Sequence, residues 1–137
     1  MLKKYGFVRV GAVTPELKVA DTEFNSKEII KQIEIAESNR IQILCFPELS
    51  ITGYSCADLF HQDILIENSI KALKDIVEST QKLNTIVIIG MPLGIENQLF
   101  NVAVVIQNGK ILGVIPKTYI PNYEEFYEDR WFTSGKN

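Results

Sequence analysis

Three short apolar runs, 7–13, 41–46 and 85–90, set the plan of this chain. All are of strand length and rich in β-branched residues, and stretches with helical periodicity separate them. Strands that alternate with helices build a parallel sheet, so this order predicts an α/β fold. The first strand ends at Thr14-Pro15, and 14–24 reads as a loop. Asn25, with Glu28 three residues on, has the pattern of a helix N-cap, and Ile29, Ile30, Ile33 and Ala36 form the apolar stripe behind it. Asn39-Arg40 closes that helix. The run 41–46 suits a strand buried on both faces, with Cys45 as inert core filling. A second helix is predicted over 62–83, carrying Ile66, Ile70, Leu73, Ile76, Val77, Thr80 and Leu83 on one side.

The strand 85–90 is predicted to end at Met91-Pro92. Two further apolar runs, 99–107 and 110–115, are joined by Asn108-Gly109. Asn-Gly marks a type I′ hairpin, whose two central residues both need positive φ. The sheet is therefore mixed, parallel in its first part and antiparallel in its second. From Lys117 to Glu128 the chain turns polar, aromatic and acidic, and reads as a helix start with an aromatic face on the core.

At 137 residues, with 46% hydrophobic residues, the chain has the size and composition of one globular domain. A net charge of −3 provides no general attraction to nucleic acid or anionic lipid. No apolar run approaches the roughly 18 residues that suggest a membrane span. The two cysteines, Cys45 and Cys56, form no C-x-x-C pair, and His61 is the only histidine. Disulfide and metal frameworks are thus not expected, and the reading is a reducing, cytoplasmic setting.

Open α/β sheets build sites where loops leave the carboxyl ends of strands. Glu48, just past the second strand, has that position, and Lys117 follows the last strand-like run. Position alone leaves Glu48 open between a catalytic base and a solvated strand-end acid, and Lys117 between an oxyanion partner and a surface lysine. Cys56 sits in a loop and reads as a poor nucleophile. Gly90-Met91-Pro92-Leu93-Gly94 fits neither a dinucleotide fingerprint nor a phosphate loop.

The segment Phe46-Pro47-Glu48-Leu49-Ser50-Ile51-Thr52-Gly53-Tyr54 resembles the F-P-E-L-x-x-T-G-Y motif of the nitrilase, or carbon–nitrogen hydrolase, superfamily. Pro116-Lys117-Thr118-Tyr119 resembles the lysine segment of the same superfamily. Narrower likenesses are to the N-terminal glutaminase domain of glutamine-dependent NAD synthetases. They lie in 5–10, 19–21, 54–60 and 119–128. The resemblance implies half of a four-layer αββα sandwich, a mixed sheet with helices on one face. It implies a Glu-Lys-Cys triad in which Glu48 is the general base and Lys117 stabilises the oxyanion. Glu125, eight residues past the lysine, matches a second glutamate that positions the substrate, and Tyr54 and Tyr123 match residues that line a glutamine pocket.

By the same resemblance the glutaminase part needs no cofactor. Ammonia passes to a synthetase domain of the same parent chain, which uses ATP and Mg to amidate deamido-NAD. The nucleophilic cysteine of the family lies beyond the lysine, and no cysteine follows Lys117 here. Residues 1–137 are therefore expected to be the N-terminal portion of the hydrolase domain, inactive alone. The rest of that domain and the synthetase domain would lie outside them. An incompletely covered sheet predicts self-association, as a homo-oligomer. Two other readings use the same fold: a stand-alone nitrilase-type amidase, and a noncatalytic oligomerisation module.

Overall fold

The computed structural model describes residues 5–136; Met1–Lys4 and Asn137 lie outside the described residues. Five strands form one sheet in the order β1-β2-β3-β4-β5. They are β1 (Val10–Ala12), β2 (Ile43–Cys45), β3 (Ile86–Ile95), β4 (Gln98–Gln107) and β5 (Lys110–Pro116). The first three run parallel, and β3, β4 and β5 are antiparallel neighbours. Helix α1 (Thr22–Ser38) links β1 to β2, and α2 (Asp63–Ser79) precedes β3. This is the mixed α/β sheet that the sequence pattern predicts.

Strand register explains where the core sits. Val87 pairs with Ile106, Ile89 with Val104 and Met91 with Val102, so these six share one face of the sheet. All are buried, with Leu44 of β2, against Ile29, Ile33 and Ala36 of α1 and Ala72, Leu73 and Ile76 of α2. Both helices therefore cover the same face. Residues of the alternate set point the other way, and Val10 is 66% exposed and Ile115 54% exposed there.

Several local expectations change. The first strand shortens to three residues at the sheet edge, and Phe7 and Val8 lie exposed before it. Asp21, not Asn25, caps α1, its carboxylate accepting from the Phe24 N–H at 3.0 Å. Asn25 is fully buried one turn into the helix, where its side chain bonds both backbone groups of Lys18 and the Ile51 carbonyl. A residue with the chemistry of a cap is thus used as a tertiary anchor. The second strand is buried on one face only, which leaves Cys45 exposed instead of in the core.

Helix α2 stops at Ser79, short of Thr80 and Leu83. The Thr80 hydroxyl donates to the Val77 carbonyl and accepts from Gly109 N–H, tying the helix end to the far hairpin. Strand β3 continues through Pro92. Past Ile88 it no longer pairs with β2, so the missing N–H of proline falls where no ladder bond is needed. A second tight hairpin, Glu96-Asn97 with φ of 47° and 63°, joins β3 to β4. Asn108-Gly109 takes φ of 50° and 70°, as a type I′ turn requires. The tail forms loops and one 3-10 turn, Glu128–Arg130, in place of the expected helix. Among the described residues no helix is long and apolar enough to cross a membrane.

Candidate active site

Glu48 lies in the tight turn that follows β2, and glycine makes that turn possible. A Cβ on Gly90 would meet the Leu49 backbone nitrogen, with the Glu48 carbonyl carbon and the Pro47 oxygen both at 2.9 Å. The turn therefore lies directly on β3 because residue 90 has no side chain. Ile51 N–H donates to the Gly90 carbonyl at 3.1 Å, and the Ser50 hydroxyl accepts from Gly90 N–H at 3.2 Å. Ser50 and Thr52 are fully buried, and their hydroxyls make hydrogen bonds within or next to the turn. Leu49 holds a left-handed φ of 53° inside this frame.

Lys117 leaves the end of β5 and is held from both sides. Its N–H donates to the Asn101 carbonyl at 2.8 Å, and its carbonyl accepts from Gly135 N–H at 2.9 Å. The Nζ donates to Glu48 Oε1 at 2.7 Å and to Glu128 Oε1 at 2.9 Å. Burial alone would lower the pKa of this lysine. The two carboxylate hydrogen bonds outweigh it and raise the pKa above the ordinary value. Lys117 is thus held as an ammonium, with two of its three N–H groups engaged.

Glu128 is 2% exposed, and the Tyr54 hydroxyl donates to its Oε2 at 2.9 Å. Burial, then the Glu128 carboxylate, push Tyr54 up to about 12. Asn101 of β4, 3% exposed, donates from Nδ2 to Glu48 Oε1. The result is a connected row, Asn101–Glu48–Lys117–Glu128–Tyr54, drawn from five separate segments. Its members Asn101, Glu48 and Lys117 border a cleft of about 350 Å³ on the sheet face that the helices leave open, with Cys45, Ile88, Gly90, Ala103 and Ile115 in its walls.

Behind this row the segment Tyr54–His61, a 3-10 stretch kinked at Ala57, is fastened to the tail. Arg130 donates twice to the Asp58 carboxylate, at 2.7 and 2.8 Å, and Trp131 Nε1 donates to it at 3.0 Å. These donors lower the Asp58 pKa, the Arg130 hydrogen bond most. Phe60 packs on Phe132 and Trp131 with ring centroids 5.0 and 5.9 Å away. Together they fix the distance between Tyr54 and Glu128.

The structure brings Glu48, Lys117 and Tyr54 together. Glu125 is exposed, and its carboxylate makes no hydrogen bond among the described residues. Tyr123 is 64% exposed with its ring edge against Phe126. Cys56 is buried, donating its thiol to the Thr52 carbonyl at 3.2 Å, and burial raises its pKa. Cys45 is exposed at the cleft wall. Among the described residues no group of three His, Cys, Asp or Glu side chains is placed to hold a metal ion.

Sequence reasoning did not single out Asn101 or assign Glu128 a role. Glu128 stood among four acidic residues in a six-residue stretch, 124–129, with nothing local to mark the one that turns inward. Asn101 was one polar residue in an apolar run. Its only signal was that a polar side chain in a central strand needs a buried partner.

A carboxylate and an ammonium in contact at the strand ends is the pair that the F-P-E-L and lysine segments anticipate. The carbon–nitrogen hydrolase family model matches residues 9–137. The chain belongs to the carbon–nitrogen hydrolase family. Within it, the chain is 37% identical over 130 residues to the glutamine-dependent NAD(+) synthetase of Mycobacterium leprae, covering 95% of this chain and 19% of that protein. The crystal structure of a glutamine-dependent NAD(+) synthetase from Cytophaga hutchinsonii superposes with a TM-score of 0.87 at 35% identity. It covers 93% of this chain and 22% of its own. A carbon–nitrogen hydrolase from Helicobacter pylori shares the fold at 22% identity, with a TM-score of 0.73 over 90% of this chain and 44% of that one. The chain thus spans about a fifth of the length of the synthetases it resembles.

Proposed function

We propose that residues 1–137 are the N-terminal portion of a glutaminase domain that supplies ammonia to NAD synthesis. The observation that carries this reading is the Lys117 ammonium held between Glu48 and Glu128 beside the open cleft. Such a site takes an amide carbonyl into a tetrahedral intermediate. Glu48 accepts the proton of a cysteine thiol, and the sulfur lone pair forms a bond to the glutamine side-chain amide carbon. The carbonyl electrons move onto oxygen, where the remaining Lys117 N–H stabilises the negative charge. Protonated Glu48 returns its proton to the departing nitrogen as the C–N bond breaks, which releases ammonia. Water then hydrolyses the thioester to glutamate and regenerates the thiol.

Neither cysteine of these 137 residues suits the nucleophilic role. Cys56 bonds a backbone carbonyl in the second core cluster, and Cys45 precedes Lys117, as the family nucleophile does not. The thiol is proposed to come from the remaining part of the domain, so this chain alone is inactive. Glu128, in place of Glu125, serves as the second glutamate in this reading, because it is the one that meets the Lys117 ammonium. Tyr54 and Tyr123 line the approach of glutamine. The glutaminase part uses no cofactor; ATP and Mg serve a synthetase domain elsewhere in the parent protein, a cytoplasmic enzyme in this reading. Identity of 35–37% to glutamine-dependent NAD(+) synthetases supports this substrate over other amides.

The test uses the full-length protein that carries this segment. Glu48→Gln and Lys117→Met should each reduce glutamine-dependent synthesis at least ~100-fold. Ammonia-dependent synthesis should stay within about twofold of wild type, because it bypasses the amide hydrolysis step. Glutamine use that survives either change overturns the assignment.

A further inference from the structure

Asn101 touches both members of the acid–base pair, one through its side chain and one through its backbone. The Nδ2 donates to Glu48 Oε1, and the carbonyl accepts from Lys117 N–H at 2.8 Å. The amide orientation follows from chemistry: an ionised carboxylate only accepts, so the NH2 end must face it. Lys117 Nζ also donates to Glu48 Oε1, at 2.7 Å. One carboxylate oxygen thus holds two donors, while no hydrogen bond within the described residues reaches Oε2.

We propose that Asn101 is a positioning residue for Glu48, fixing the carboxylate so that Oε2 is the atom presented to the incoming proton. This rests on the reading of Glu48 as the general base. The Glu48 side chain is 42% exposed, and the terminal torsion of a glutamate is soft and nearly two-fold. Lysine is a weak director, because its ammonium rotates on a flexible four-carbon stem. A planar amide that is 3% exposed on β4, paired across from Pro92, is a fixed one. The Asn101 carbonyl also anchors the Lys117 backbone, so one residue sets the Glu48–Lys117 spacing from both ends. Proton transfer is sensitive to that spacing, since a displacement of ~1 Å can cost about 10²-fold in rate.

The experiment compares Asn101→Leu, Asn101→Asp and Asn101→Ser in the full-length protein, with Glu48→Gln alongside. Asp keeps the shape of the side chain and Leu its branching, and both lose the donor, whereas Ser retains a smaller one. With the donor lost, kcat with glutamine should fall on the order of 10²-fold while KM changes less than about threefold. The Ser variant should fall between these and wild type, and ammonia-dependent synthesis should be unchanged in all three. Thermal melting identifies the variants that fold. The inference is overturned if folded variants keep kcat within about threefold, lose activity through KM alone, or lose ammonia-dependent synthesis in parallel. It is overturned equally if none of the three folds, since Asn101 is then a structural residue. Failure of the underlying reading looks different: Glu48→Gln itself then retains glutamine use.

Discussion

The two faces of this sheet are made from nearly the same residues and have opposite fates. On one, Val87, Ile89, Met91, Val102, Val104 and Ile106 are closed over by α1 and α2. On the other, Ile88, Ala103 and Ile115 border a cleft that ends at Glu48 and Lys117. Apolar strand composition by itself therefore does not say which face becomes core. The helices decide it, because both connections pack on the same side. Polar chemistry then gathers at the strand ends of the open side, where Glu48 and Lys117 keep contact with water and still lean on an apolar wall.

This comparison can be broken by substitution. Ile89→Ala, on the helix-covered face, should cost about 2–5 kcal/mol in denaturant unfolding, because the cavity sits in packed core. Ile115→Ala, on the open face, should cost less than about 1 kcal/mol. The open face should report in association instead. Ile115→Lys tests the expected self-association of the 137-residue chain: sedimentation velocity should show less association than for the unsubstituted chain, since the lysine interrupts the exposed apolar face. Equal unfolding costs at Ile89 and Ile115, or unchanged sedimentation, would mean the faces are not distinct in solution.

Gly90 lies where the Glu48 turn closes over the open face. Gly90→Ala drives a Cβ into backbone atoms of 47–49 and should cost about 1–3 kcal/mol. Glutamine-dependent turnover of the full-length protein should drop more than ammonia-dependent turnover, because Glu48 moves with the turn. A fully active, fully stable alanine variant would refute the close approach.

The smallest effect is at the lip of the site. The Tyr54 pKa is raised from 10.0 to about 12, so its neutral hydroxyl stabilises the fold below pH 10. As pH rises from 10 to 12 the unfolded chain loses that proton first, and the contribution declines over this window. The stability gap between wild type and Tyr54→Phe should therefore shrink with rising pH, from ~1 kcal/mol or less given solvent screening. Unfolding curves at pH 9 and above measure it; a gap that widens would contradict the Tyr54–Glu128 bond.

Legibility followed the range of the interaction. Asn108-Gly109 was readable because positive φ at two adjacent residues is a local demand. Glu48 and Lys117 were readable through two ordered segments that resemble those of the family. Asn25 misled because the same side chain can cap a helix or anchor a loop, and the Ile51 carbonyl that decides it lies 26 residues on. Cys45 misled because an apolar run does not reveal that only one face is covered.

Sequence alone determined the succession of strands and helices, the hairpin at 108–109 and the two charged residues at the strand ends. Those are set by periodicity, by turn geometry and by motif, all within a few residues. Tertiary structure decided which face stayed open, that Glu128 and not its acidic neighbours meets Lys117, and that Asn101 stands behind Glu48. The last two outcomes depend on pairings 11 and 53 residues apart, where packing and register choose the partner and local propensity has no voice.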